Sequence, residues 1–414
     1  LMPSTYLSRT GIGSSNNQKK WTFSGWFKKA SNGSELRLIT SSDNSSYDDN
    51  IRFDSTDKLR VKFNNATVLL TNRLFRDNNA YYHIVVKVDT DQSTANDRIV
   101  LYINGVDERT VGGYSTSSMP NQGTTGYINY TQHYIGVTNP TANSNHFNGI
   151  MSHVHFTDGY AYTPTSFGET DTTTGEWKIK VDPSVSYGTT GFWILKDGNS
   201  VTDSSPNSNT FTVSAGTLTK TEDNPSNVFA TINPLDNYYA NATFSLGNTR
   251  IVTGSGREAS NTATIPMFKG KYYWETKMIS ANAPFVGIQP IPSFGNTASP
   301  AVLQLNGYGL LITGKVETTN GSGGSTVLAT YTTYTTGDII GTAVDLDSAQ
   351  NKIYFYKNGT ILGASGVNIT SVGSTSQGMY LAAFGVIAGQ DTIEVNFGNG
   401  YFGTTAVSSA GTNA

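Results

Sequence analysis

Residues 81–106 read YYHIVVKVDTDQSTANDRIVLYINGV, a sequence that predicts two antiparallel strands followed by a tight turn. Apolar and polar residues alternate in both strands, as expected when one face of a strand lies in a core. Asn104-Gly105 tolerates the positive φ angles that a two-residue hairpin turn requires. A second sequence of this kind, KIYFYKNGT, occupies residues 352–360. Each half of the chain is therefore predicted to contain the same hairpin, either through divergent duplication or through similar turn physics alone.

Short runs with the same alternation recur along the whole chain and are separated by Asn, Asp, Gly and Ser. They include WTFSGWF (21–27), LRVKF (59–63), SHVHF (152–156), YYWETKM (272–278), IIGTAVDLD (339–347) and TIEVNFG (392–398). Strong helix formers are scarce beside Thr, Ser, Asn, Gly and Tyr, so helix is expected in only a turn or two. The predicted fold class is all-β, with two tandem antiparallel β-sandwiches.

The length of 414 residues exceeds what one hydrophobic core usually supports. Residues 220–237, KTEDNPSNVFATINPLDN, contain two prolines among polar neighbours and show little alternation, as a domain junction does. We therefore predict a domain at 1–219, a linker at 220–236 and a second domain at 237–414.

Composition excludes several classes of protein and of site. Charged residues make up 14% of the chain, the net charge is -3, and no basic run is present, which argues against a nucleic-acid partner. The absence of cysteine excludes disulfides, thiolate metal sites and cysteine nucleophiles. Because no apolar run approaches the roughly 20 residues that cross a bilayer, membrane insertion is not expected.

The order of segments in the first half resembles a known family. YLSRTGIGSSNNQKKWTFSGWFKK (6–29) is followed by the hairpin of residues 81–106 and by HFNGIMSHVHFTDGYAYTPTSFGETDTTTGEW (146–177). This order is similar to that of the laminin G-like, concanavalin A-type lectin domain found in bacteriophage virion proteins, and the resemblance extends from Tyr6 to about Phe211. It implies a β-sandwich of the concanavalin A-like, jelly-roll type.

The second half resembles a SPRY domain. The segments that carry this resemblance are KGKYYWETKM (269–278), GDIIGTAVDLDSAQNKIYFYKNGT (337–360) and YLAAFGVIAGQDTIEVNFG (380–398). A SPRY domain is also a β-sandwich, in agreement with the strand pattern. The tandem of the two resemblances is more specific than either one.

What the tandem implies is a non-enzymatic structural or adhesion protein of a phage virion. It would be a tail fibre, or a capsid-attached fibre or decoration protein, and it would bind a host cell-surface glycan or another virion protein. An extracellular or virion location and a homo-oligomer, with a trimer as the first expectation, follow from this interpretation. Two alternatives stay open: a secreted or cell-surface bacterial adhesin that binds carbohydrate, and a polysaccharide depolymerase.

The segment 114–134, YSTSSMPNQGTTGYINYTQHY, is the candidate ligand site. It places Tyr114, Tyr127, Tyr130 and Tyr134 among Asn, Gln and Thr. Aromatic faces pack on sugar rings while amides bind hydroxyls, and Tyr is a rigid, amphipathic contact residue in binding loops. The alternative is that these tyrosines only pack a sheet.

Catalytic carboxylates are not expected. Glycosidases of the lectin-type fold need two or three on one strand face. The single Glu-x-Asp sequence, Glu169-Thr170-Asp171, is followed by threonines where the third carboxylate should stand, and it lies in a turn-rich stretch. A surface loop is the preferred interpretation.

No cofactor is expected, although carboxylate oxygens could bind calcium and imidazoles could bind zinc. The weak calcium candidates are Asp43, Asn44, Asp48 and Asp49, which could lie at a sandwich rim. Three aspartates in the connection between strands, Asp89, Asp91 and Asp97, do not have the spacing of a calcium loop. The possible zinc ligands are His146, His153 and His155, for which a partly exposed sheet face is the preferred interpretation.

Overall fold

The structure is a computed structural model, and it describes residues 4–12, 17–43, 45–239, 242–254, 259–290, 307–319, 324–403 and 405–407. The chain divides into two compact units, 1–228 and 229–414. This division falls inside the predicted linker, 220–236. In the part of the chain that the structure describes, no helix has the length and apolarity needed to cross a membrane.

Unit 1 is built from short strands and contains the helix α1 (Glu108–Val111). Its two 3₁₀ turns are Ala95–Asp97 and Pro164–Ser166. The strands are β1 (Tyr6–Thr10), β2 (Lys20–Lys29), β3 (Leu36–Ser42), β4 (Asp48–Phe53), β5 (Leu59–Phe63), β6 (Ala66–Thr71), β7 (Tyr82–Asp89), β8 (Ile99–Ile103), β9 (Val106–Asp107), β10 (Tyr114–Ser117), β11 (Gln132–Ile135), β12 (Gly149–Asp158), β13 (Gly168–Thr170), β14 (Trp177–Ile179), β15 (Phe192–Ile194) and β16 (Thr212–Ala215).

Two antiparallel sheets form the sandwich of unit 1. One has eight strands in the order β10-β6-β5-β4-β3-β11-β1-β16, and the other has six in the order β15-β12-β2-β7-β8-β9. Side chains alternate across each strand, so that Leu59, Val61 and Phe63 of β5 are buried in the core between the sheets. Arg60 and Lys62 lie on the opposite face of the same strand.

The outer face of the six-stranded sheet carries a buried histidine. The Nε1–H of Trp177 donates to Nδ1 of His83 at 2.9 Å, so Nε2 of this imidazole bears the proton and donates to the Ser24 hydroxyl at 2.9 Å. Trp26 stacks on the same ring at 4.6 Å. Burial lowers the pKa of His83 to about 3, so the imidazole is neutral at physiological pH.

Unit 2 is likewise built from short strands, with a 3₁₀ turn at Val372–Ser374. The strands are β17 (Tyr238–Tyr239), β18 (Thr243–Ser245), β19 (Arg250–Val252), β20 (Ala259–Thr262), β21 (Lys271–Ser280), β22 (Pro284–Gln289), β23 (Tyr308–Leu311), β24 (Lys315–Thr319), β25 (Ser325–Thr330), β26 (Ile339–Asp345), β27 (Lys352–Lys357), β28 (Thr360–Ile361), β29 (Val367–Asn368), β30 (Leu381–Val386), β31 (Thr392–Asn396), β32 (Tyr401–Phe402) and β33 (Thr405–Ala406).

Unit 2 also contains two large antiparallel sheets, and β32 pairs with β33 in a separate two-stranded sheet. Seven strands follow the order β17-β20-β30-β22-β23-β24-β25, and eight form the other sheet in the order β18-β19-β31-β21-β26-β27-β28, with β29 paired to β27. Trp274 and Phe355 from the second sheet pack in one core with Val286 and Phe384 from the first.

The all-β prediction with very little helix is confirmed. The Asn-Gly pairs at 104–105 and 358–359 form the predicted hairpin turns, with positive φ at all four residues.

The predicted linker contributes to both units. Asp223 is buried in unit 1, where its Oδ2 lies 2.7 Å from Nζ of Lys28, and Ile232 is buried in the core of unit 2. The polar composition of this segment therefore reflects side chains that bind into folded units as well as a junction.

Candidate functional site

Three tyrosines meet at one end of the eight-stranded sheet of unit 1, and we call Tyr47, Tyr127 and Tyr130 the tyrosine cluster. The rings of Tyr47 and Tyr127 stack with centroids 5.0 Å apart. Tyr130 meets both edge-on, 5.4 Å from Tyr47 and 5.7 Å from Tyr127. These are favourable aromatic geometries, and they hold the three rings as one surface.

The hairpin between β3 and β4 positions Tyr47. Oδ1 of Asp43 accepts hydrogen bonds from the backbone N–H groups of Ser45, Ser46 and Tyr47 at 3.0, 2.7 and 3.0 Å. An aspartate that accepts from the backbone a few residues ahead is a common way to fix a turn. The same bonds hold the pKa of Asp43 well below its usual range.

A buried carboxylate positions Tyr127. Oδ2 of Asp49 accepts from the Tyr127 backbone N–H at 2.7 Å, and the carboxylate also accepts from the N–H groups of Asn64 and Asn65 at 2.8 Å each. Burial nevertheless raises the pKa of Asp49, because the charged form loses its hydration. Asp49 therefore links the loop before β11 to the β5–β6 turn through these hydrogen bonds.

Gln132 connects the tyrosine cluster to the outer face of the sheet. Its Nε2 donates to the Ser42 carbonyl at 2.6 Å and to the Tyr47 hydroxyl at 3.0 Å, while its Oε1 accepts from the Tyr134 hydroxyl at 3.1 Å. The Tyr47 hydroxyl also lies 2.7 Å from Oγ1 of Thr131. Amide and hydroxyl groups therefore surround the aromatic rings.

Only part of the tyrosine cluster is open to solvent. Tyr47 is 9% exposed and serves as the base on which the other rings pack, whereas Tyr130 is 40% exposed. An exposed aromatic ring beside fixed hydroxyl and amide groups can pack on the apolar face of a sugar and bind its hydroxyls.

The four tyrosines of segment 114–134 are not all together. Tyr127 and Tyr130 lie in the tyrosine cluster. Tyr134 is buried, packs with Tyr6 and Val137, and reaches the cluster only through Gln132. Tyr114 lies apart from the cluster on β10, an edge strand of the sheet, where burial raises its pKa.

Tyr47 was not among the predicted ligand residues. The signal in the sequence was its position between Asp43 and Asp48, inside the weak calcium candidate. Because Tyr47 is far from Tyr127 in the sequence, the contact between the two rings was not predicted.

The calcium candidates are engaged in other contacts. Asp43 and Asp49 accept backbone hydrogen bonds, and Asp48 lies 3.2 Å from Arg37 and 3.1 Å from Lys62. Asn44 lies outside the described residues. Across the described ranges, no group of three or more His, Asp or Glu side chains could hold a metal ion.

The other candidate metal ligands are also engaged in separate contacts. His153 and His155 share the outer face of β12, with rings 6.5 Å apart, and both contact Trp193. His146 instead packs on Tyr6 at 6.1 Å. In the connection between β7 and β8, Asp89 pairs with Lys20 at 3.1 Å and Asp97 with Arg109 at 3.1 Å.

The Glu-x-Asp sequence forms an exposed hairpin. Glu169 and Thr170 belong to the short strand β13, which pairs with β14, so the expected loop is a hairpin instead. Nζ of Lys178 lies 3.5 Å from Glu169 and 3.2 Å from Asp171. Backbone hydrogen bonds from Thr174 and Thr173, and then Lys178, lower the pKa of Asp171 to about 2. A general acid needs a raised pKa, so Asp171 is unsuited to act as one.

Comparison with known proteins agrees with this architecture. Residues 4–166, less than half of the chain, match the concanavalin A-like lectin/glucanases superfamily. Unit 1 has a laminin G-like, concanavalin A-like lectin fold. A comparison with curated proteins finds no match.

Similar solved structures include two SPRY domains and a carbohydrate-binding module. The SPRY domain of human HERC1 is 16% identical with a TM-score of 0.30, and the match covers 40% of this chain and 98% of that chain. The TRIM65 PSpry domain is 15% identical with a TM-score of 0.29, covering 41% and 89%. The carbohydrate-binding module CBM66 from Bacillus subtilis is 11% identical with a TM-score of 0.26, covering 40% and 91%.

Proposed function

We propose that this protein is a non-enzymatic adhesion protein that binds a carbohydrate through the tyrosine cluster of its lectin-like unit. The observation that carries the proposal is the exposed ring of Tyr130, held edge-on to Tyr47 and Tyr127 and next to the hydroxyl and amide of Thr131 and Gln132. Such a surface offers both the apolar face and the fixed polar groups that a small-molecule site requires.

The proposed setting is the surface of a phage particle, as part of a tail fibre or of a capsid-attached fibre or decoration. The resemblance of the first half to virion lectin domains, followed by a SPRY-like half, supports this setting. The partner would be a host cell-surface glycan or another virion protein, and the chain would act as a homo-oligomer, with a trimer as the first expectation.

Turnover is not part of the proposal. The carboxylates of Glu169 and Asp171 share the Lys178 ammonium on an exposed hairpin, and the pKa of Asp171 is lowered. A retaining or inverting glycosidase needs one carboxyl group with a raised pKa opposite a second one. Release of reducing ends from bacterial capsule or laminarin-type glucan, abolished in Glu169→Gln, would establish a depolymerase instead.

The test is glycan binding by the full chain and by Tyr130→Ala. We expect binding to fall roughly tenfold or more, because an exposed aromatic contact contributes on the order of 1–2 kcal/mol. Tyr160→Ala is the matched control, since Tyr160 is 42% exposed and also stacks on another tyrosine, Tyr162, at 5.8 Å. Equal binding by both variants would show that the tyrosine cluster is not the site.

A bacterial adhesin is the second candidate, because the lectin fold suits display on a cell as well as on a virion. Mass spectrometry of purified particles and of the surface fraction of host cells separates the two. Absence of the chain from particles, together with its presence on the cell surface, would replace the virion assignment by the adhesin.

A further inference from the structure

Three arginines lie side by side across neighbouring strands of unit 1, and we call Arg37, Arg52 and Arg60 the arginine row. Arg37 of β3 stands directly opposite Arg52 of β4, which stands directly opposite Arg60 of β5. Like charges directly opposite each other destabilise a sheet. Burial, and then repulsion from Arg37, lower the pKa of Arg52 to about 10. Folding alone gives no reason for this arrangement in a chain with 14% charged residues.

Carboxylates pair with the members of the arginine row. Arg37 pairs with Glu35 at 2.7 Å and with Asp48 at 3.2 Å, and Arg60 pairs with Asp54 at 3.1 Å. Glu35 also lies 3.4 Å from Arg52, and Asp48 is shared with Lys62 at 3.1 Å. Four cations, the arginine row and Lys62, thus share three directly paired carboxylates, Glu35, Asp48 and Asp54, and the buried Asp49 carboxylate adds an electrostatic attraction to Lys62.

Some hydrogen-bond donors in the arginine row have no acceptor. Nε of Arg37 and Nε of Arg60 are buried and have no hydrogen-bond partner, whereas Nε of Arg52 lies 3.4 Å from Oε2 of Glu35. Arg37 and Arg52 are almost fully buried, whereas the side chain of Arg60 is 29% exposed and can be reached from solvent. A guanidinium carries five N–H donors in a planar fork that fits an oxyanion. The arginine row therefore has hydrogen-bond donors for a further anion, and Arg60 is the member that such an anion can reach.

The arginine row is continuous with the tyrosine cluster. Arg52 donates to Oδ1 of Asn50 at 2.8 Å, and Nδ2 of Asn50 donates to Oδ1 of Asp48 at 3.1 Å. Asp48 directly follows Tyr47 in the chain. A polysaccharide bound with one sugar on the exposed ring of Tyr130 can therefore extend its next residues along the face that carries Lys62 and Arg60.

We propose that Arg60 and Lys62 bind the acid groups of an acidic polysaccharide whose neighbouring sugar packs on the tyrosine cluster. The inference rests on the proposed carbohydrate binding and names the class of glycan. The shared chemistry is a sugar-borne oxyanion, either the carboxylate of a uronate or a sulfate ester. Arginine binds both in a bidentate manner, and lysine adds a point charge.

The experiment measures binding of the full chain to polygalacturonate, dextran sulfate and uncharged dextran at increasing salt. We expect one or both charged polymers to bind, dextran to bind at least tenfold more weakly, and added salt to weaken only the charged interaction. Binding of polygalacturonate alone assigns a carboxylate ligand, and binding of dextran sulfate alone assigns a sulfate ligand. Binding of double-stranded DNA as tight as that of the charged polysaccharides would reveal generic polyanion attraction and overturn the proposal.

Three variants locate the interaction. Arg60→Gln and Lys62→Gln should each weaken binding to the charged polymer roughly tenfold, the effect of one charge-assisted hydrogen bond. Lys87→Gln removes the same charge from β7 of the other sheet and should leave binding unchanged. Circular dichroism verifies folding, and if Arg60→Gln does not fold, Lys62→Gln carries the test. Binding by Lys62→Gln equal to that by Lys87→Gln would overturn the proposal.

The outcomes also separate this inference from the proposed function. If Tyr130→Ala abolishes glycan binding while Arg60→Gln and Lys62→Gln bind normally, carbohydrate binding stands and acid recognition falls. If no glycan, charged or neutral, is bound by the full chain, both fall together.

Discussion

The two Asn-Gly hairpins form the same turn in different surroundings. The φ angles are 48° and 81° at Asn104 and Gly105, and 50° and 80° at Asn358 and Gly359. In each turn the asparagine closes the same pair of bonds with the neighbouring strand. Its backbone N–H donates to a carbonyl, of His83 at 2.9 Å or Ile339 at 2.8 Å, and its Oδ1 accepts from the N–H of that residue, at 2.8 Å in both.

The two turns differ in the side chains that pack against their glycines. A Cβ at Gly105 would lie 2.5 Å from the ring of Trp177, whereas a Cβ at Gly359 would meet nothing within 4 Å. The residue to which the asparagine is hydrogen-bonded also differs: it is the buried His83 in unit 1 and Ile339 in unit 2. Local sequence therefore sets the backbone of both turns, and a remote segment of the chain decides how each turn is packed.

The largest expected effect is a difference in acid stability between the units. All five histidines, at positions 83, 133, 146, 153 and 155, belong to unit 1. Burial lowers the pKa of His83 to about 3 and that of His153 to about 4, and it holds those of His133 and His155 well below their usual range. The unfolded chain therefore binds more protons than the folded unit below a pH of about 6.5.

Unit 1 should accordingly lose stability as the pH falls from about 6.5 to 4, by up to roughly 1.4 kcal/mol per histidine per pH unit. Asp49 and Glu108, whose pKa values burial raises, offset part of this loss. Unit 2 has no histidine and should change little in that range. Calorimetry of the full chain between pH 6.5 and 4 tests this. If the unfolding transitions of both units lost stability equally as the pH falls, burial of histidines in unit 1 would not be the explanation.

The next effect is expected for Gly105→Ala, which should destabilise unit 1 by about 2–4 kcal/mol. Part of the loss is the cost of positive φ for a residue with a Cβ, on the order of 1–2 kcal/mol, and the remainder is displacement of Trp177. Denaturant unfolding measures the change. In a Trp177→Ala background the substitution should cost only the conformational part, and an unchanged cost there would show that Trp177 is not the cause.

The smallest effect is expected for Gly359→Ala, at about 1–2 kcal/mol, because its φ angle matches that of Gly105 and its surroundings are open. The same unfolding measurement applies to the transition of unit 2. A loss as large as that of Gly105→Ala would remove the proposed difference in packing between the two hairpins.

Alternation of apolar and polar residues in the sequence predicts many of the strands but not all of them. LRVKF alternates visibly, and β5 forms there with Arg60 and Lys62 outside the core. β3, at Leu36–Ser42, was not predicted, because its second half, Ile39-Thr40-Ser41-Ser42, shows no alternation, although all seven residues are buried. The turns were predictable at Asn104 and Asn358, since asparagine and glycine tolerate the required backbone angles.

Only part of the candidate site was predicted from the sequence. Tyr127 and Tyr130 are close in the chain and could be grouped, but Tyr47 joins them through register and loop packing, which composition does not reveal. The same holds for the arginine row, whose members lie on three strands and meet only because of the pairing between β3, β4 and β5.

The buried contact between Lys28 and Asp223 bears on how this protein is divided for experiments. A recombinant first half ending at residue 219 would lack the carboxylate that lies 2.7 Å from the Lys28 ammonium inside unit 1. Removing one partner of a buried pair costs about 3–5 kcal/mol. A fragment carried through Val228 keeps this carboxylate and is the better choice for soluble expression, crystallisation and binding assays.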